Sequence, residues 1–174
     1  AVTENAVKWG TMEPQKGKVN FATIDNILQW TEENDMPLRG HNIYWGINKF
    51  VQPWVKELND EQLYQELEKR GRMIGARYEG RFAEYDLNNE MIHGDYYQER
   101  LGPGITKKMA DWVKASDAEA KLYLNDYDIL TGNKFRNFGD EGSPVDVVGD
   151  LGDNNPFSVA AFRTAVAGLL GSTT

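Results

Sequence analysis

The sequence has 174 residues, of which 40% are hydrophobic and 26% are charged, so it predicts one folded, soluble domain with a sizeable core. A net charge of -8 would repel nucleic acid and anionic lipid, which argues against both as partners and leaves neutral ligands. With no cysteine and only His41 and His93, a metal or other cofactor is not expected, and no apolar run is long enough to span a membrane.

Short apolar runs alternate with longer segments of helical periodicity along the chain. The first residues resemble the end of a strand, and a helix is predicted over 23–34 with Ile24, Ile27, Leu28 and Trp30 facing inward. The remaining elements, in chain order, are a strand at 36–45, a helix at 60–79, strands at 82–89 and 120–127 separated by a helix at 105–116, a strand at 144–149 and a helix at 157–170.

This alternation is typical of βα units that build a parallel sheet. We expect an α/β fold of the (β/α)8 TIM-barrel type. Such barrels have about 250 residues, so residues 1–174 would form a partial barrel domain covering about the second to the fifth or sixth βα unit. An open doubly wound sheet is the alternative, although no glycine-rich phosphate loop follows any predicted strand.

Polar side chains gather where each predicted strand ends. The carboxyl ends of barrel strands share one face, so these groups are expected to converge on one cleft. They are Glu4 and Asn5 with Lys8, His41 with Trp45, Asn89 with Glu90, and Asn125 and Asp126 with Tyr127.

Glu90 is the candidate general acid, because it ends a mostly apolar strand and Asn89 beside it can bind a sugar hydroxyl. The competing interpretation is a solvent-exposed loop glutamate. For His41, a hydrogen-bonding role is favoured over proton transfer, and for Asp126 a structural role. His93 and Asp95 are expected to be solvated.

Aromatic side chains near the strand ends could offer flat faces to sugar rings, namely Trp9, Trp45, Trp54 and Tyr127. Core packing is the default interpretation for each tryptophan. Trp54, which follows a proline in a loop, fits core packing least well. Trp30 and Trp112 are assigned to helix packing.

Five stretches resemble glycoside hydrolase family 10, the endo-1,4-β-xylanases, in the family's order: TENAVKW (3–9), EPQKGKVNF (13–21), LRGHNIYW (38–45), YDLNNEM (85–91) and LYLNDYDIL (122–130). The resemblance is strongest over residues 1–138. It implies that Glu90 is the acid/base residue. It also implies sugar contacts on the glycone side from Glu4, Asn5, Lys8, His41 and Trp45, with Asn89 binding substrate and Tyr127 lying toward the aglycone side.

The sequence departs from the family pattern after Trp45 and again toward its end, where PVDVVGDLGDNN lacks the Gln and His that the family carries near the end of the sixth strand. Gly46 stands where the family has a histidine after Trp45, and the loop that follows is longer than the common form. The family's nucleophile, a glutamate ending the seventh strand, has no counterpart, because no glutamate occurs after Glu141.

The resemblance therefore implies an endo-1,4-β-xylanase that hydrolyses internal xylosidic bonds of xylan with retention, with its nucleophile missing from this chain. Xylan or xylo-oligosaccharides are the expected partners, and the family implies a secreted or extracellular protein. The alternatives are a non-catalytic carbohydrate-binding remnant and an inactive fragment of such a barrel. An incomplete barrel would expose strand edges, which predicts self-association or a complementary barrel half.

Overall fold

The computed structural model describes residues 1–127 and, after them, only the backbone of two short strands. The elements in chain order are α1 (Trp9–Met12), α2 (Ala22–Glu33), β1 (Arg39–Gly40), β2 (Tyr44–Trp45), a 3₁₀ turn (Asn48–Phe50), α3 (Pro53–Lys56), α4 (Asp60–Arg77), β3 (Glu84–Asp86), β4 (Asn88–Asn89), α5 (Tyr96–Leu101), α6 (Ile105–Lys114), β5 (Leu122–Tyr123), β6 (Phe135–Arg136) and β7 (Pro144–Val145).

The strands of residues 1–127 pair in parallel and in chain order. Val2 forms a bridge with Arg39 of β1, β1 pairs with β3, and β3 pairs with β5. Further along the same segments, β2 pairs in parallel with β4. Parallel neighbours joined by helices, in the order in which they occur along the chain, are the arrangement of one side of a (β/α)8 barrel.

Three strand predictions need correction. The run 82–89 is interrupted at Leu87 and forms two strands, β3 and β4. The run 36–45 is two strands and not one, because the backbone leaves the ladder at His41, whose N–H donates to Thr3 Oγ1 (2.9 Å). The run 144–149 was expected to join the parallel sheet, but β7 pairs antiparallel with β6. The connection from β6 to β7 is too short for the crossover that a parallel pair requires. Residues 146–149 and the helix predicted at 157–170 lie outside the described residues.

The three long helices match their predictions closely. In α2 the buried residues are Ile24, Leu28 and Thr31, which are spaced four and three apart on one helix face. Trp30 was predicted to face inward and is instead 55% exposed, because it is two positions from Leu28 and so points away from that face. No helix within residues 1–127 is long and apolar enough to cross a bilayer.

Helix α4 begins with a capping box and packs closely on α6. Asn59 Oδ1 accepts from Gln62 N (2.9 Å), and Gln62 Oε1 accepts from Asn59 N (3.1 Å). Gly71 and Gly75 of α4 lie on the face toward α6, where a Cβ on Gly75 would be 2.7 Å from the carbonyl oxygen of Val113. The two glycines therefore allow the helices to approach each other.

Arg70 joins α4 to the strand side of the fold. Its side chain is fully buried, and its guanidinium donates to the carbonyl oxygens of Val7 and Ile43. Burial lowers the pKa of Arg70 to about 10, although the group stays charged at neutral pH. The arginine thus fixes the first segment of the chain and the β1–β2 connection over the same helix.

Candidate active site

Glu90 directly follows β4 and is joined to two other strand ends. Its N–H donates to the carbonyl oxygen of Asn125 (2.7 Å), and Nε1–H of Trp45, the last residue of β2, donates to its carboxylate Oε2 (2.8 Å). Asn125 also donates to Oδ1 of Asn89 (3.1 Å). Residues from three predicted strand ends therefore meet at Glu90, Trp45 through its side chain and Asn125 through its backbone.

The backbone at Glu90 is left-handed, with a φ of 57°. A non-glycine residue in this region costs about 1–3 kcal/mol, and such residues cluster at functional sites. The N–H of His93 donates to the carbonyl oxygen of Glu90 (3.0 Å), which closes a turn over residues 90–93. Glu4 and Asp35 also have positive φ, so this conformation supports a functional role for Glu90 only together with its contacts.

A cavity of about 240 Å³ opens beside the Glu90 carboxylate. Glu90 is the only carboxylate among its lining residues in the described part of the chain. Aromatic rings and one lysine form most of the remaining surface. The lining residues are Trp45, Ile47, Lys49, Phe50, Glu90, His93 and Tyr127.

A second cavity, of about 490 Å³, lies on the side of the first helix and shares Trp45 and Phe50 with the first. It is lined by Asn5 and Lys8, and Lys8 Nζ donates to Asn5 Oδ1 (2.9 Å). The same ammonium lies 4.5 Å from the centre of the Trp45 ring. The structure therefore brings together three of the predicted sugar contacts, Asn5, Lys8 and Trp45.

Phe50, which the sequence analysis did not single out, stacks on Trp45. The ring centres are 3.9 Å apart and the planes differ by 18°, while Phe50 itself stays 44% exposed. This contact covers part of the Trp45 ring that was predicted to be open to sugar. Phe50 lines both cavities and forms part of the wall between them.

His41 is bound to a carboxylate and lines neither cavity. Its Nδ1 lies 2.7 Å from Oδ2 of Asp86, which Arg39 also contacts. Burial alone would raise the pKa of Asp86, but hydrogen bonds from His41 and Arg39 hold it below its ordinary value. His41 therefore makes a hydrogen bond within the protein, and its contact with sugar stays a prediction.

Glu4, Trp9 and Trp54 do not line the Glu90 cavity, although Trp9 lines part of the larger one. Glu4 is exposed and lines neither of the two cavities. Trp9 is 4% exposed and packs edge to face with Trp54, their ring centres being 5.6 Å apart. Trp54 also donates to the carbonyl oxygen of Glu13, so it is part of this packing after all.

His93 and Asp126 form a buried pair, which contradicts the expectation that His93 is solvated. Their side chains are 4% and 2% exposed, and His93 Nδ1 contacts Asp126 Oδ1. The His93 ring stacks on Tyr127, with centres 3.8 Å apart and planes 8° apart. Asp126 has the structural role that was predicted for it.

Asp95 is also buried and not solvated as predicted. It caps α5 by accepting from Tyr97 N (3.0 Å), and it accepts from Asn88 Nδ2 (2.8 Å). Burial raises the pKa of Asp95 to about 6.

The buried Asp95 also explains why residue 46 is a glycine. A Cβ at Gly46 would lie 2.6 Å from Asp95 Oδ1, so no side chain fits where the family has a histidine. The signal for Asp95 was present in the sequence, since Gln98 follows it three residues later as in a capping box.

Comparison with known proteins identifies relatives across most of the chain. The sequence model of glycosyl hydrolase family 10 matches residues 1–152. Endo-1,4-beta-xylanase 3 of Arabidopsis thaliana is 40% identical over 133 residues, 76% of this chain and 18% of that protein. The anti-sigma-I factor RsgI6 of Acetivibrio thermocellus is 33% identical over 125 residues, 72% of this chain and 16% of that protein.

The fold is shared with solved xylanases. Xylanase 10B from Thermotoga petrophila RKU-1, solved in complex with xylobiose, is 27% identical and has a TM-score of 0.67, with 78% of this chain and 42% of that chain covered. The chain thus spans less than a fifth of the two curated relatives and about two fifths of this xylanase. The prediction of a partial TIM barrel is confirmed, and the chain belongs to glycosyl hydrolase family 10.

Proposed function

We propose that the protein containing this chain is a retaining endo-1,4-β-xylanase in which Glu90 is the general acid/base. The observation that carries the proposal is the contact of Glu90 with Trp45 Nε1 at the cavity where three strand ends meet. Family membership and the xylanase names of relatives support the reaction type.

In retaining hydrolysis one carboxylic acid protonates the leaving oxygen while a second carboxylate, about 5 Å away, attacks the anomeric carbon. Glu90 then removes a proton from the water that hydrolyses the glycosyl-enzyme. The second carboxylate is expected from a part of the barrel to which the described residues do not extend. The lining of the Glu90 cavity is consistent with this division, since it includes no other carboxylate among those residues.

The substrate contacts are part of the same proposal. Asn5, Lys8 and Trp45 would bind xylose on the glycone side, since all three line the larger cavity. Asn89 would bind a sugar hydroxyl beside Glu90, and Tyr127 would face the aglycone. Glu4, His41 and Asn89 are included because of the family pattern, since none of the three lines either cavity. An extracellular location is part of the proposal, because a polymeric substrate does not cross membranes.

A non-catalytic carbohydrate-binding protein is the second candidate function. Two observations favour it: the Glu90 cavity has no second carboxylate among the described residues, and one relative is named an anti-sigma-I factor and not a xylanase. This candidate predicts that xylo-oligosaccharides bind without being hydrolysed. An inactive fragment would neither bind nor hydrolyse them.

The test is Glu90→Gln in the full-length protein, with reducing sugar released from xylan as the readout. Loss of general acid/base catalysis should lower kcat by about 10²- to 10⁴-fold, while xylotetraose binding measured by calorimetry is retained. Glu99→Gln is the matched control, because Glu99 is exposed on α5. Unchanged hydrolysis by Glu90→Gln would refute the acid/base assignment, and binding without hydrolysis by the parent protein would support the second candidate.

A further inference from the structure

The segment from Glu90 to Asp95 connects β4 to α5 and contains a buried histidine to which the proposed reaction gives no role. His93 lies in this segment, and its partner Asp126 lies just after β5. Both side chains are almost completely buried beside the cavity that contains the Glu90 carboxylate. The cost of burying a carboxylate is offset by hydrogen-bond donors. The donors to Asp126 therefore identify the parts of the chain that this pair holds in place.

Asp126 binds the turn that follows Glu90. Its Oδ2 accepts from the N–H of Ile92 (2.9 Å), and its Oδ1 accepts from the N–H of Tyr127 (3.0 Å) and contacts His93 Nδ1. Hydrogen bonds to a charged acceptor are the stronger kind. The backbone bond from Glu90 to Asn125 closes the same connection from the other side. The contacts between residues 91–93 and residues 125–127 therefore set the position of Glu90.

The His93 ring also supports Tyr127. The two rings are nearly parallel at 3.8 Å, and Tyr127 remains 40% exposed at the cavity. Because His93 is held by Asp126 on one edge, the plane of the Tyr127 ring is fixed as well. One histidine thus connects the proposed proton donor with the aromatic ring proposed for the leaving side.

We propose that His93 is a positioning residue, which acts through Asp126 to place Glu90 against the leaving oxygen and through its ring to orient Tyr127 toward the aglycone sugar. The proposal rests on the proposed function. His93 itself is not assigned a contact with substrate or a proton transfer. A histidine that only stabilised the loop would affect all substrates alike. A positioning histidine should affect protonation of the leaving group more than the other steps.

Two substitutions separate the two contacts of His93. His93→Phe keeps a ring behind Tyr127 but removes the donor to Asp126. His93→Asn keeps a donor close to the position of Nδ1 but removes the ring. If His93→Phe does not fold, as judged by circular dichroism, Asp126→Asn takes its place, because its one amide oxygen can still accept from the N–H of Ile92 while the charged oxygen that His93 contacts is lost.

The readout is the full-length protein's kcat/KM on two aryl xylobiosides, one with a dinitrophenyl leaving group and one with an unsubstituted phenyl leaving group. The ratio kcat/KM reports formation of the glycosyl-enzyme and not its hydrolysis, in which Glu90 acts as the base for both substrates. The first substrate needs little protonation on departure and the second needs much, so a displaced general acid lowers kcat/KM mainly for the second. We expect His93→Phe to lower kcat/KM for the phenyl substrate by about 10- to 100-fold and for the dinitrophenyl substrate by much less. His93→Asn should keep the ratio between the two substrates close to the parent's and instead raise KM for both.

Glu90→Gln is measured in parallel, so that failure of the positioning role of His93 can be distinguished from failure of the acid/base assignment of Glu90. If Glu90→Gln loses kcat/KM for the phenyl substrate selectively and His93→Phe equals the parent or slows both substrates equally, the positioning role is wrong while the acid assignment holds. If Glu90→Gln leaves both rates unchanged, the proposed function fails and the role of His93 fails with it.

Discussion

At the scale of single residues, Asp95 shows how burial changes the properties of a carboxyl group. It is 5% exposed, and desolvation raises its pKa to about 6 although its carboxylate accepts three hydrogen bonds, which lower the pKa. The folded state therefore holds a proton on Asp95 more tightly than the unfolded state does. This group's contribution to stability is fully present below its unfolded pKa and is lost as the pH rises through about 6.

Asp95→Asn should therefore stabilise the protein at neutral pH. Asparagine is an equally good N-cap, and the amide of Asn88 can flip to accept from the new Nδ2. Removing the buried charge should raise the free energy of unfolding at pH 7 by about 2–3 kcal/mol, with the gain disappearing near pH 4. Urea unfolding across this range measures it. Asp35→Asn is the control, since Asp35 is exposed, and an equal gain there or a gain that persists at pH 4 would contradict the argument.

Much of the candidate site was predictable because strand ends in a barrel share one face. Glu90, Asn89 and Trp45 could be placed near one another from their positions after apolar runs. His93 could not be placed, because its partner Asp126 is 33 residues away and nothing local pairs them. Phe50 was missed because a single aromatic residue in a loop gives no periodic pattern.

At the scale of elements, the helices were predicted better than the strands because a helix repeats its apolar face over many turns. Helices α2, α4 and α6 begin and end within about two residues of their predicted bounds. The strands described have only two or three residues each. The longer apolar runs in the sequence therefore predicted where the strands lie but not where each strand begins and ends. The break at His41 depends on a bond to Thr3, which is distant in the sequence.

The contact between α4 and α6 gives a test at this scale. Alanine at position 75 would ordinarily favour the helix by about 1 kcal/mol, but its Cβ would be 2.7 Å from the carbonyl oxygen of Val113. Backbone cannot yield as a flexible side chain can, so Gly75→Ala should destabilise the protein by about 1–2 kcal/mol net. A lower midpoint of urea unfolding would show it. Gln65→Ala, exposed on the same helix, should change the midpoint little, and a stabilised Gly75→Ala would refute the packing argument.

At the scale of the whole molecule, the parallel strand order explains why the site lies where it does. Each strand brings its polar residue to the same end, and Arg70 holds the helix side to the first segment and to the β1–β2 connection. The core therefore supports the cleft, and its residues Trp9 and Tyr97 also line the larger cavity. The overall barrel type was predictable from the βα alternation, whereas the pairing of β6 with β7 was not, since a short apolar run does not specify the direction of its partner.

The outer edge of the sheet leads to a prediction about association. Among residues 1–127, β1 has neighbours on both sides, but β5 pairs only with β3, and Tyr123 of β5 is 45% exposed. A strand edge with unpaired backbone groups is a template for another chain, and a closed barrel has no such edge. We therefore expect the 174-residue chain by itself to self-associate.

Sedimentation velocity over a range of concentrations tests for this self-association, with the full-length protein as the comparison. The 174-residue chain should show a sedimentation coefficient that rises with concentration, and the full-length protein should not. Tyr123→Lys should reduce the association of the chain, because an edge lysine opposes strand addition. Trp30→Lys is the control for general apolar contact, since Trp30 is exposed on α2 and not on the sheet edge. If Trp30→Lys disperses the chain and Tyr123→Lys does not, association occurs through the helix surface and the edge argument is wrong.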